Sequence, residues 1–118
     1  MEKKRNEILD LSFEFALDVI RYCDLLEAKK KYVISGQLLR SGTSIGANIR
    51  EAQNAESVAD FIHKLKIAAK EVDETFYWLQ LCEKSENYPN PENIPDKLQC
   101  IKKLLNTIIA TMKRKSAK

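Results

Sequence analysis

Gln37-Leu-Leu-Arg-Ser-Gly-Thr-Ser-Ile-Gly-Ala-Asn-Ile-Arg-Glu-Ala52 is the stretch whose reading decides the fold. Leu38, Gly42, Ile45, Ile49 and Ala52 recur at alternating steps of four and three, the spacing of a helix that buries one face. Gly42 and Gly46 fall inside this pattern, and each costs a helix interior about 1 kcal/mol relative to alanine. The reason for them is room. With Ser41, Ser44 and Ala47 they form a patch almost without side-chain bulk, against which another helix can lie closely. Gly42-x-x-x-Gly46 would pair helices inside a membrane, but Arg40 and Arg50 flank it, so it reads as close packing in water. A phosphate-cradling loop is disfavoured, because no Gly-Lys-Ser/Thr follows and no strand precedes.

Working outward, four helical segments are expected. The first runs from about Lys4 to Glu27, with Ile8, Leu11, Phe15, Tyr22 and Leu26 on one row. Leu9, Phe13, Ala16, Ile20 and Cys23 form a second row that widens the buried face. Lys29-Lys30-Lys31 marks an exposed connection. The second helix spans about Ser35 to Asn54. The third spans Val58 to Glu86 and opens on Ser57 and Asp60, which have capping-box spacing. Three prolines between Asn87 and Asp96 forbid a continuous helix there. The fourth helix follows from Asp96 to Lys113 with Leu98, Ile101, Leu105, Ile108 and Met112 on one stripe, and the residues after it are expected to fray. Amphipathic helices with short connections give one all-α domain over residues 1–118, an antiparallel up-and-down four-helix bundle.

The third helix has an anomaly. Its expected core stripe is Val58, Ile62, Leu65, Ala69, Val72, Phe76 and Leu79, while at 100° per residue Ile67, Trp78 and Leu81 project from the other side. A Trp grouped with two large aliphatics suggests a second buried face, hence subunit contact in a homo-oligomer.

The Gln37–Ala52 stretch, followed by Asp60-Phe-Ile-His-Lys-Leu-Lys-Ile-Ala-Ala-Lys-Glu71 and Glu74-Thr-Phe-Tyr-Trp-Leu79, resembles the four-helix-bundle family of 23S rRNA intervening sequence proteins. It is also similar to the accessory proteins of diversity-generating retroelements. The resemblance implies a bacterial protein, four helices and a homopentameric ring, with no established enzymatic activity. A retroelement accessory member would in addition contact a reverse transcriptase and nucleic acid.

Composition agrees with a folded, helix-rich chain: 44% hydrophobic and 31% charged residues exclude disorder, and three glycines leave little for the turns of a β-sandwich. No apolar run approaches the roughly 20 residues that span a bilayer. Glu7, Asp10, Glu14 and Asp18 interrupt what would have to be the apolar core of a signal peptide, so a cytoplasmic location without membrane contact is expected. Cys23, Cys82 and Cys100 lack metal-ligand spacing and read as small buried hydrophobes. His63 is the sole histidine, which removes the paired Glu-x-x-His ligation of di-iron bundles and leaves Ser41, Ser44 and Ser57 without a base. No enzyme, cofactor or metal site is expected.

Charge is unevenly placed. Lys97, Lys102, Lys103, Lys113, Arg114, Lys115 and Lys118 face no acidic residue from Lys97 onward; subtracting their +7 from the overall +3 leaves −4 for residues 1–96. A basic terminal segment points to a polyanion, with Lys102, Lys103, Lys113, Arg114, Lys115 and Lys118 as candidate nucleic-acid contacts. Arg40 and Arg50 are candidates for a phosphate or for a carboxylate of a neighbouring subunit. Glu71, Asp73 and Glu74 read as a solvated or intersubunit ion-pair face, and Asn48 as a polar group fixing helix register. The sequence thus suggests a non-enzymatic oligomeric scaffold for RNA, DNA or a nucleoprotein enzyme such as a reverse transcriptase. The alternative is a protein-only assembly or adaptor module.

Overall fold

Four helices, α1 (Glu2–Ala28), α2 (Tyr32–Ala52), α3 (Val58–Lys84) and α4 (Ile94–Ser116), carry the chain in the computed structural model, which describes residues 2–117. No strand occurs among the described residues. Lys118, one of the candidate contacts, lies outside them. Each helix packs side by side on two others: α1 and α3 both lie against α2 and α4, and meet each other across the bundle through side chains such as Arg5 on Phe61. The result is a rod of 52 × 21 × 19 Å.

Local chemistry sets the boundaries. α2 begins at Tyr32 rather than near Ser35, because Lys30 takes a left-handed conformation (φ 62°) that turns the chain at once into the next helix. Ser35 is fully buried one turn in, its hydroxyl bonding to the Glu27 carboxylate at 3.0 Å and the Cys23 carbonyl at 3.4 Å. Ser57 does cap α3, its side chain accepting from the Asp60 N–H at 3.0 Å, while the Asp60 carboxylate accepts from the Glu56 N–H. α3 stops at Lys84. α4 starts at Ile94, ahead of the expected Asp96, with Pro95 in its first turn, where the missing N–H has no partner to lose. It continues through Ser116, so Lys113, Arg114 and Lys115 are helical rather than frayed.

The core is a single apolar cluster that includes Phe15, Val19 and Leu26 of α1, Leu38, Ile45 and Ile49 of α2, Leu65, Val72 and Leu79 of α3, and Leu98, Ile101, Leu105 and Ile108 of α4. Each such side chain contributes on the order of 1.5–3 kcal/mol. Two expectations are corrected. α3 buries Phe61, Ala68 and Thr75, with Ile62, Ala69 and Phe76 at the edge and Val58 exposed. Thr75 can enter the core because its hydroxyl pairs with that of Ser41 at 2.9 Å and also reaches the Glu71 carbonyl at 2.7 Å. In the second row of α1 only Cys23 is buried; Leu9 and Ala16 are half-buried, and Phe13 and Ile20 face solvent.

Cys23 and Cys82 are buried and Cys100 is exposed, against the expectation that all three lie inside. Burial pushes the Cys23 and Cys82 thiols above their ordinary range. Between α1 and α4, Lys97 reaches Asp18 at 2.7 Å, and Arg21 reaches the same carboxylate at 2.7 Å.

Candidate nucleic-acid interface

α4 presents its basic residues in two groups. Lys97 and Lys102 serve the fold: Lys97 holds Asp18, and Lys102 lies 3.5 Å from Asp73 and 5.7 Å from the centre of the Phe76 ring. Lys103, Lys113, Arg114 and Lys115 are exposed. The last three sit in the final turn, where cations also complement the helix dipole.

The fold adds a cation from another helix to this turn. Lys66 of α3 lies against Lys113, and the contact with that ammonium, together with its charge and slight desolvation, lowers the Lys66 pKa from its ordinary value. On α1, whose first turn carries Lys3, Lys4 and Arg5 after Glu2, the Arg5 guanidinium lies 4.4 Å over the Phe61 ring at the start of α3. Arg5 Nε is buried without a hydrogen-bond partner. Glu2 and Glu7 are the acids of that stretch of α1. Two ammonium groups held side by side in solvent make a position where an anion relieves repulsion as well as gaining attraction. Lys66 and Arg5 were not among the candidates from sequence. Their pairing with Lys113 and Phe61 is a tertiary contact that no helical spacing encodes.

Other candidates fall elsewhere. Arg40 is engaged within its own chain, by Glu71 at 3.1 Å and by Glu74, where the sequence offered a phosphate or a neighbour's carboxylate as its partner. Glu71 and Glu74 are therefore structural, and Glu74 also accepts from Trp78 Nε1 at 2.9 Å. Arg50 remains exposed and lines a cleft between α1 and α2 with Leu9, Phe13, Ala16 and Gly46, of about 170 Å³. Asn48 donates to the Ser44 carbonyl at 2.8 Å, a bond within α2, so it does not fix register between helices. His63 is exposed.

Ile67 and Trp78 are half-buried, and Leu81 is exposed. Because the core stripe of α3 is rotated toward Phe61, Ala68 and Thr75, Trp78 lies at its flank and packs against the core. Gly42 is a site of close approach: a Cβ there would stand 2.9 Å from Val19 Cγ1 and 3.0 Å from Cγ2. At Gly46 a Cβ would meet Ser12 no nearer than 3.4 Å, an ordinary contact.

The sequence model of one family, described as 23S rRNA-intervening sequence protein, matches residues 4–109. Among solved structures, the chain is similar to a protein of unknown function from the S23 ribosomal protein family of Bacteroides thetaiotaomicron VPI-5482. The two are 49% identical, with a TM-score of 0.85 over 91% of this chain and 98% of that one. No curated protein matches.

Proposed function

We propose a function from one premise: this chain belongs to the family of 23S rRNA-intervening sequence proteins. It acts as a non-enzymatic, cytoplasmic, homo-oligomeric scaffold that binds RNA or DNA, alone or within a nucleoprotein enzyme such as a reverse transcriptase. An antiparallel up-and-down order is supported by the register of α1 on α2, where Ser12 meets Gly46, Val19 meets Gly42 and Cys23 meets Ser35. A ring, pentameric in the family it resembles, would repeat the basic turn around one assembly and turn weak phosphate contacts into avidity.

The observation that carries the nucleic-acid reading is the meeting of Lys66 with Lys113 beside Arg114 and Lys115. No aromatic side chain is interleaved with Lys113, Arg114 and Lys115 in sequence, so contact is to phosphates and sequence preference is weak. Counterion release makes such binding steep in salt, each neutralised phosphate adding about 0.7–0.9 to the log–log slope. The test is filter binding of single-stranded RNA and DNA oligonucleotides across a salt series. Wild type should bind at low salt and fade toward physiological salt. Lys66→Ser and the triple change of Lys113, Arg114 and Lys115 to Ser should each weaken binding and flatten the slope. Absence of binding at low salt would refute the reading and leave the protein-only adaptor; unchanged binding by both variants would move the site elsewhere.

A further inference from the structure

Two helices carry large apolar side chains on their outer surfaces, and both stripes are framed by charge. On α1, Phe13, Leu17 and Ile20 are 56%, 38% and 43% exposed, with Asp10 before them and Asp24 after them, both exposed. On α3, Tyr77 and Leu81 are 56% and 38% exposed, with Lys70 before and Lys84 after, again both exposed. Asp10 to Asp24 and Lys70 to Lys84 span the same number of residues, about 21 Å of helix at 1.5 Å per residue. Several of the opposite charges beside these stripes have partners in their own chain. Arg21 pairs with Asp18, Asp73 with Lys102, and Glu74 with Arg40. What remains is an acid-framed apolar stripe on α1 and a lysine-framed one on α3, matched in length.

We infer that the α1 stripe of one copy packs on the α3 stripe of the next, so that the two are the unlike halves of one subunit contact. The inference rests on the oligomeric reading above and names its surfaces. Apolar area on the α1 side supports it. With Leu39 of α2, which is 36% exposed, the α1 face offers about 350 Å², taking roughly 200 Å² for a fully exposed large side chain. A stable contact covers about 800 Å² per partner, a little over half of it apolar. Leu9 and Ala16, half-buried in the adjoining cleft, supply much of the remainder.

The α1 stripe leans toward α2, since Leu9, Phe13 and Ala16 share a cleft with Thr43, Gly46 and Ala47. A contact between unlike faces is heterologous, and it gives a ring where the rotation between copies closes. Of the residues singled out from sequence, Leu81 belongs to the contact; Ile67 and Trp78 stand beside it.

The test measures mass by light scattering, with helical content by circular dichroism as the control for folding. Wild type should exceed a monomer. Asp10→Lys with Asp24→Lys, and separately Lys70→Asp with Lys84→Asp, should each lose the assembled species, and the four changes in one chain should restore it. The apolar pair Phe13→Glu and Leu17→Glu should be monomeric and remain helical. A monomeric wild type would overturn the oligomeric reading and this inference with it. Assembly that survives the α1 substitutions would overturn the inference alone, as would failure of the fourfold charge exchange to restore assembly.

Discussion

Gly42→Ala should destabilise the protein although it replaces a helical glycine with the best helix former. Propensity alone favours alanine by about 1 kcal/mol. Against that, the new Cβ would stand 2.9 Å and 3.0 Å from the two methyl carbons of Val19 and 3.3 Å from its Cβ. Val19 is fully buried, and its branched side chain is stiff in a helix. Rotating χ1 exchanges one methyl for the other, so α1 and α2 must separate instead. Overpacking of this kind costs about 1–3 kcal/mol, which leaves a net loss of about 1 kcal/mol. Gly42→Leu should lie at the upper end of that range or beyond. Gly46→Ala is the internal control: its Cβ meets Ser12 no nearer than 3.4 Å, so the propensity gain survives and stability should rise. Thermal melts at one protein concentration would show the two alanines moving Tm in opposite directions, each by roughly 4 °C per kcal/mol. In Val19→Ala the crowding is relieved and the propensity gain remains, so Gly42→Ala should become stabilising, a coupling of about 2 kcal/mol. Equal stabilisation by both alanines would refute close approach as the reason for Gly42.

Asp18 should make the fold sensitive to acid. Burial would raise its pKa, but the hydrogen bonds and charges of Lys97 and Arg21 prevail and hold it below the ordinary carboxylate range. Its contribution is therefore full above the unfolded value near 4 and lost as pH falls through the folded value. Asp18→Asn should be less stable than wild type at pH 7, with the gap closing in acid, as urea melts at several pH values would show. Thr75→Val should cost about 1–3 kcal/mol by leaving the buried Ser41 hydroxyl only its long 3.5 Å bond to the Leu38 carbonyl, while Ser41→Ala should cost less, because Thr75 keeps the Glu71 carbonyl. Trp78→Phe keeps an aromatic ring but removes part of the indole together with its bond to Glu74, and should cost about 1–2 kcal/mol in the same melts.

Helical spacing reveals the four helices and the proline break, because each is a local property of the chain, and it marks Gly42 as a helical glycine that needs a packing reason. It misplaced the α3 core for a definite reason. The ladders Val58-Ile62-Leu65 and Phe61-Leu65-Ala68 interlock on α3 and share Leu65, Val72 and Leu79. The choice between them rests on Thr75, whose burial depends on a hydroxyl of α2. The outer row of α1 reads as core because Phe13 and Ile20 have core hydrophobicity. Only the positions of α2 and α4 show that they face away. Arg40 was placed correctly on the outside of α2, but Glu71 and Glu74 come within reach only through packing on α3. The approach of Lys66 to Lys113 is a contact of the same kind.

The unequal burial of the three cysteines turns the molecule into its own clock for opening. Cys100 is exposed, whereas Cys23 and Cys82 are shielded and held as thiols by burial. A thiol reagent such as a disulfide dye attacks the thiolate, so Cys100 should react at once and the other two only when helices part. The slow phase then reports the opening that exposes α1 at Cys23 and α3 at Cys82, without any probe added to the sequence. If both buried thiols react at one rate in dilute denaturant, the helices separate as a unit; if Cys82 leads, the bundle peels from α3.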